Sequence, residues 1–183
     1  MLIPTFRHFI ALLSLTLATA FGSMAYAQSH AELERESRAA LKNLIAQNQT
    51  AKDLNAKAVA VLIFPDVKKA GFIIGGQYGE GVLLRGDKVA AFYNTGGASV
   101  GLQAGAQQYG YALFLMTEEA VKALDAADGF EIGVGPSVVV VDQGYAKSTT
   151  TTTVKDNIYA FIFDQKGLMA GLGIQGNKIT KIK

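Results

Sequence analysis

The segment AGFIIGGQYGEGVLL, residues 70–84, constrains the fold most, because it has the composition of a β-strand and yet contains five glycines. Phe72, Ile74 and Val82 are residue types that favour a pleated, buried backbone, whereas glycine weakens a strand interior. Each glycine is therefore expected to mark a bulge, a bend or the close approach of another group. Three hypotheses explain them: a phosphate-binding loop, the corners of a curved sheet, or a surface for a lipid.

The glycines recur at alternate positions. One set is Gly75, Gly79 and Gly81, and shorter sets are Gly101 with Gly105, Gly133 with Gly135, and Gly171 with Gly173. Because strand side chains alternate between two faces, each set leaves one face bare while the opposite face keeps its bulk. The pattern predicts a strongly curved sheet in which glycine on the concave side lets another layer approach closely. A shallow apolar groove for an acyl chain is the alternative.

Phosphate binding and catalysis find little support in the sequence. The stretch from Gly76 to Gly81 lacks the lysine and hydroxyl residue of a P-loop, and strand residues follow it instead of a helix. The two histidines are His8 and His30, and cysteine is absent, so no Ser/His/Asp or Cys/His arrangement can be assembled. We therefore expect no enzyme activity, no metal site and no cofactor.

The remaining patterns predict helices at three places in a series of strands. Ser29 opens a capping box before an amphipathic helix over residues 30–48, residues 50–57 form a short helix or turn, and Thr117 caps a helix that ends before Gly129. Eight apolar runs predict short strands: Ala58–Phe64, Gly71–Leu84, Val89–Tyr93, Ser99–Ala106, Tyr111–Met116, Phe130–Val141, Ile158–Phe163 and Leu168–Ile174. The predicted class is α+β: a mostly antiparallel β-sheet curved into a sandwich or barrel, with an N-terminal amphipathic helix and one inserted helix.

The N-terminal residues have the pattern of a secretory signal peptide. Arg7 precedes an apolar stretch from Phe9 to Phe21, and an A-x-A cleavage site ends at Ala27. We expect a signal peptide over residues 1–27, a single domain over residues 28–183, and a periplasmic protein peripheral to a membrane. A retained anchor is the alternative, although the apolar stretch is shorter than the roughly 20 residues of a spanning helix.

The charge balance argues against a nucleic-acid partner. The chain has 17 basic and 15 acidic residues, which gives no strong positive field. Basic residues gather at Lys68 and Lys69 and again at Lys178, Lys181 and Lys183. Solvated surface and contact with anionic head groups are both open for these clusters, and such contact gains roughly 1 kcal/mol per basic residue.

Two separated motifs resemble a known family. The sequence AVAVLIFPDVKKAGF at Ala58–Phe72, with the glycines that follow it, resembles the opening of the SYLF domain, and KGLMAG at Lys166–Gly171 is similar to its closing element. The resemblance extends over about residues 33–183. It implies a compact, mostly-β domain without catalysis that binds phospholipids, with phosphatidylinositol lipids and actin as ligands of eukaryotic members.

We therefore expect a non-catalytic protein of the bacterial envelope that binds phospholipids or a membrane surface, through Lys68, Lys69, Phe72 and Tyr78. An envelope structural or protein-interaction module without a lipid ligand is the alternative. Because an exported protein does not meet cytosolic actin, actin is not an expected partner.

Overall fold

The computed structural model describes residues 29–125, 129–132, 138–141, 157–167 and 177–182, and of residues 72–74 and 99–104 it describes the backbone alone. Several predictions fall outside these residues. They are the signal peptide, the strand Leu168–Ile174, most of the KGLMAG motif, and the glycine pairs at 133 and 135 and at 171 and 173.

The N-terminal helix and its cap are confirmed. Helix α1 (His30–Gln47) begins after Ser29, whose Oγ accepts a hydrogen bond from the Glu32 N–H at 3.2 Å. Helix α2 (Gln49–Asn55) follows directly, and the Asn48 side chain accepts from the Ala51 N–H at 3.0 Å. Capped ends satisfy amide groups that have no partner within the helix, which fixes where both helices start.

Strands β1 (Ala60–Arg85) and β2 (Lys88–Leu115) form one long antiparallel hairpin, so the prediction of five short strands over this region is wrong. The Pro65–Ala70 segment does not end the strand. The register instead shifts between Phe64 and Val67, and pairing with β2 then continues. A bulge accommodates proline, which has no N–H for the ladder, and bends the strand without breaking it.

The other described residues complete a curled, half-barrel sheet. Helix α3 (Glu118–Leu124) is the predicted inserted helix, and the Thr117 Oγ1 accepts from the Ala120 N–H. The remaining strands are β3 (Phe130–Glu131), β4 (Val138–Val141), β5 (Ile158–Gly167) and β6 (Lys178–Lys181).

The topology places β2 at the centre of the sheet. The described residues form six strands in the order β3-β6-β2-β5-β4, with β1 on the other edge of β2. Strands β5 and β6 share one edge of β2, at Gln107–Leu115 and Tyr93–Gly96 respectively. Among the described residues, all strand pairs are antiparallel except β4 with β5, which is parallel. The predicted α+β class with a curved, mostly antiparallel sheet is confirmed.

The sheet buries side chains on both faces. The inner core joins the two halves of the hairpin, with Leu62 and Phe64 of β1 packed in the same cluster as Leu83 and Tyr93. The helix-side core lies on the opposite face, where Ile63, Val82 and Phe114 pack with Leu33 of α1 and Leu54 of α2. Burying both faces explains why β1 reads as a nearly continuous apolar run at each end.

Gly79 and Gly81, two of the alternating glycines, lie where one part of the β1 backbone packs closely against another. A Cβ atom at Gly81 would lie 2.5 Å from the Ile63 carbonyl oxygen and 2.6 Å from Cδ1 of Phe64, and one at Gly79 would lie 2.7 Å from the Asp66 oxygen. The second half of β1 therefore packs directly on the first half of the same strand. The predicted close approach is confirmed at these two positions, while Val82 and Leu84 bury their side chains on the other face.

We expect Gly81→Ala to lower the free energy of unfolding by about 1–3 kcal/mol, because the added methyl group forces the packed backbone apart. Gly76→Ala is the matched control, since the nearest atom to a Cβ there is the Gly97 oxygen at 3.9 Å. Urea unfolding of both variants measures the difference. Equal stability of the two variants would contradict the close packing of β1 on itself.

Candidate membrane-contact site

Lys68 and Lys69 lie on opposite faces of β1. The Lys68 side chain is 78% exposed, whereas Lys69 is 7% exposed. The bulge after Phe64 sets this orientation, because Val67 enters the inner core and Lys69 follows it at the next position on that face. Of the two lysines, Lys68 is the one that offers its ammonium group to a surface.

Lys68 shares a groove of about 400 Å³ with Tyr78. The Lys68 Nζ lies 3.7 Å from Asp66 Oδ2, a distance at which an exposed ion pair contributes little. The groove is acidic overall, and its lining comprises Glu32, Glu36, Asp66, Lys68, Tyr78, Gly79 and Glu80. The structure therefore brings two of the four predicted contact residues together.

Tyr78 is one of the exposed large side chains, at 55% exposure. Its hydroxyl donates to Glu80 Oε1 at 2.8 Å. Partial burial and this hydrogen bond raise the pKa of Tyr78 to about 12, so the phenol is neutral at physiological pH. An exposed aromatic ring with a fixed polar tip suits the boundary between water and an apolar phase.

Phe72 lies in β1, where its Cα pairs with that of Ala104 at the glycine-rich bend of the hairpin. Its side chain is outside the described residues, so the predicted lipid contact at Phe72 stays a prediction.

A second groove, of about 440 Å³, is basic, and it contains a residue that the sequence analysis missed. Its lining comprises Lys68, Lys69, Ala70, Ala106, Gln107, Gln108 and Lys166. Lys166 is the first residue of the KGLMAG motif, and no other basic residue lies near it in the sequence. Its proximity to Lys68 depends on the register of three strands, which the spacing along one strand does not reveal.

Strand β5 carries a local distortion just before Lys166. Asp164 has a φ of 50°, in the left-handed region, and the β2–β5 register shifts between Gln108 and Gly110. Aspartate tolerates this conformation better than most residues, although it remains strained. After the shift, Lys166 lies opposite Gln108 and Gly167 opposite Gln107.

Buried polar groups line the inner face of the hairpin near its bend. The Tyr109 hydroxyl donates to Gln77 Oε1 at 2.8 Å, the Gln77 amide donates to Asn177, and the Tyr111 hydroxyl donates to Thr95 Oγ1 at 2.7 Å. Burial raises the pKa of Tyr109 and of Tyr111, so both phenols remain neutral donors. These bonds join β1, β2 and the residue before β6, which makes the network structural.

A second cluster of polar residues connects α3 to the sheet through hydrogen bonds. Asp125 Oδ1 accepts from the Tyr93 hydroxyl at 2.5 Å and from Lys181 Nζ at 2.9 Å, and Arg85 binds the Glu118 carboxylate with two bonds of 2.9 and 2.8 Å. Partial burial acts to raise the pKa of Asp125. The bonds from Tyr93 and Lys181 outweigh it, so this pKa lies below the usual 3.8.

Two negative findings apply to the described residues. They contain no group of three histidine or acidic side chains placed to hold a metal ion. None of their helices is both long and apolar enough to cross a bilayer.

Comparison with protein families shows what part of this chain is similar to a known family. Residues 96–183 match the family model described as Ysc84, Las17-binding protein actin regulator. This match confirms the predicted resemblance to the SYLF family over these residues. The SYLF match begins within β2 and includes Gln108 and Lys166, whereas the motif at Ala58–Phe72 lies ahead of it. A search of curated proteins found no match.

We expect the protein to lose stability as the pH falls through the lowered pKa of Asp125. A carboxyl whose pKa is depressed on folding stabilises the protein above its unfolded pKa of about 3.8, and this contribution disappears on protonation. Because the Asp125 side chain is 41% exposed, the contribution should be below about 1 kcal/mol.

Urea unfolding of the wild type and of Asp125→Asn at a series of pH values measures this contribution. The stability difference between them should shrink at acid pH. A difference that stays constant with pH would contradict the role of the charged carboxylate.

Proposed function

We propose that this is a non-catalytic protein of the bacterial envelope that binds phospholipid membranes, and that it is exported to the periplasm after cleavage of residues 1–27. The SYLF family is linked to lipid and actin binding, and the first of these properties suits an exported chain. The observation that carries the proposal is the exposed Lys68 beside the exposed ring of Tyr78, on the strand that leads through the glycine-rich bend.

The combination of these two side chains is typical of membrane interfaces. Aromatic rings with a polar tip are enriched at head-group level, and a lysine near an anionic surface gains roughly 1 kcal/mol. The segment between them in sequence contains Phe72, Ile73 and Ile74, three consecutive large apolar residues. Contact by this part of β1 would combine apolar burial with electrostatic attraction.

The absence of catalysis is part of the proposal. The one histidine in the described residues, His30, stacks on Phe92 with ring centroids 4.0 Å apart, at the start of α1. Glu118 and Asp125 are engaged by Arg85 and Lys181, which accounts for them structurally. Actin, which appears in the description of the family, is not proposed as a partner because an exported protein does not meet it.

We expect the wild type to sediment with vesicles containing phosphatidylglycerol more strongly than with phosphatidylcholine vesicles, and high salt should reduce the difference. Lys68→Glu should weaken binding to the anionic vesicles at least fivefold, since it removes an attraction and adds a repulsion. Lys88→Glu, at the exposed hairpin turn, is the control with the same change of charge.

Lys69 is unsuitable for this test, because a carboxylate at a position that is 7% exposed would disturb folding. If the wild type binds neither kind of vesicle, membrane binding is wrong. Equal loss in Lys68→Glu and Lys88→Glu would show a general charge effect instead of a site at Lys68.

Tyr78→Ala provides a test of the apolar contribution. We expect it to weaken binding to neutral and anionic vesicles by the same factor, because insertion of the ring does not depend on lipid charge. Co-sedimentation over a range of lipid concentrations measures both factors. Tyr78→Phe is the matched variant and should retain most of the binding, whereas loss in that variant would assign the effect to the hydroxyl.

A second candidate is a protein-interaction module of the envelope without a lipid ligand. The acidic groove beside Tyr78 favours it, because four carboxylate residues in one concave surface complement a basic segment of a partner. A salt-sensitive interaction with a lysine-rich peptide, combined with no retention on vesicles, would support this candidate over the first.

A further inference from the structure

We propose that Lys68, Gln108 and Lys166 form one basic row across three strands, and that this row is the surface that contacts the phosphates of anionic lipid head groups. This inference rests on the proposed membrane function and assigns its location. It adds two residues, Gln108 and Lys166, that no single stretch of sequence connects with Lys68.

The register of the sheet creates the row. Lys68 of β1 is the partner of Gln108 in β2, and Gln108 is in turn the partner of Lys166 in β5. Residues directly opposite each other on paired strands project from the same face. Strands are spaced roughly 4.8 Å apart, so the two lysines start about 10 Å from each other with the Gln108 amide between them. Long, flexible lysine side chains can converge from that distance on one phosphate group.

The surface around the row suits a flat, negatively charged partner. Lys68, Gln108 and Lys166 are exposed, and the next row on the same face is Ala70 with Ala106, which are exposed and small. The described residues that line this groove include no carboxylate, in contrast to the acidic groove on the other side of Lys68. Lys166 makes no ion pair with any of the described residues. Its side chain is exposed, so the ammonium group can reach an external anion.

The layer beneath the row adds to its positive character. Lys69 and Gln107 are opposite each other on the inner face and are 7% and 8% exposed, and Gln107 Oε1 has no hydrogen-bond partner in the described part of the chain. Lys69 likewise makes no ion pair with the described residues. Lys69 therefore places a further basic side chain directly behind the row.

The strained Asp164 explains how Lys166 reaches the row. The residue with φ of 50° accompanies the shift in register that places Lys166 opposite Gln108. Without the extra residue of this bulge, the side chains after Asp164 would change faces. The backbone remains strained at Asp164. This strain agrees with a requirement that the Lys166 side chain project from the same face as Lys68 and Gln108.

The experiment compares Lys166→Gln with Lys88→Gln in the full chain, using phosphatidylcholine vesicles with and without phosphatidylglycerol. Lys166→Gln should weaken binding to the anionic vesicles about fivefold and leave binding to neutral vesicles unchanged. Lys88→Gln, which removes the same charge elsewhere, should bind nearly as the wild type does. Equal urea midpoints of the two variants would show that folding is intact.

The outcomes separate the row from the wider function. If the wild type binds anionic vesicles and the two variants bind equally, the assignment of head-group contact to the row is wrong, while membrane binding by the protein stands. If the wild type binds no vesicles, the membrane function fails and the row with it. A third arm titrates inorganic phosphate at constant ionic strength and follows the backbone amide signals of Gln108 and Lys166. We expect no saturable change, and a saturable one would assign the row to a soluble anion and overturn the proposal.

Discussion

The contact of β1 with itself is the constraint on which the rest of the structure depends. The two strands of the hairpin have 26 and 28 residues, which makes them several times longer than ordinary strands, and a flat ribbon of that length buries too little apolar surface to be stable. Folding it back on itself creates the inner core. That requires backbone to pass within reach of backbone at Gly79 and Gly81, where any side chain would fill the space.

The two ends of β2 pair with different neighbours. Strands β5 and β6 share one edge of β2 because they pair with different parts of it, Gln107–Leu115 and Tyr93–Gly96. Strand β5 then lies beside Gln108, and the basic residues of β1 and β5 come to the same face. The surface that we assign to lipid head groups is thus a result of the register of β1 and β5 on the two sides of β2.

Local features were predictable from the sequence and long-range ones were not. The caps at Ser29 and Thr117 involve residues three positions apart, so both helix starts were predicted correctly. The strand boundaries failed at Pro65, because proline next to charged residues has the composition of a turn while the structure accommodates it in a bulge. The same bulge turns Lys69 inward, and only the register of three strands connects Lys68 with Lys166.

Pro65 has one further consequence, for the outer edge of the sheet. Among the described residues β1 pairs with β2 alone, so its other edge carries backbone groups that a strand of a second molecule would complete. Pro65, which has no N–H, lies at the bulge and is followed by a solvated lysine, so the edge is interrupted near the N-terminal end of β1. Proline, a bulge and a lysine are features that disfavour pairing with a strand of a second molecule, and here they act on the first part of the long β1 edge.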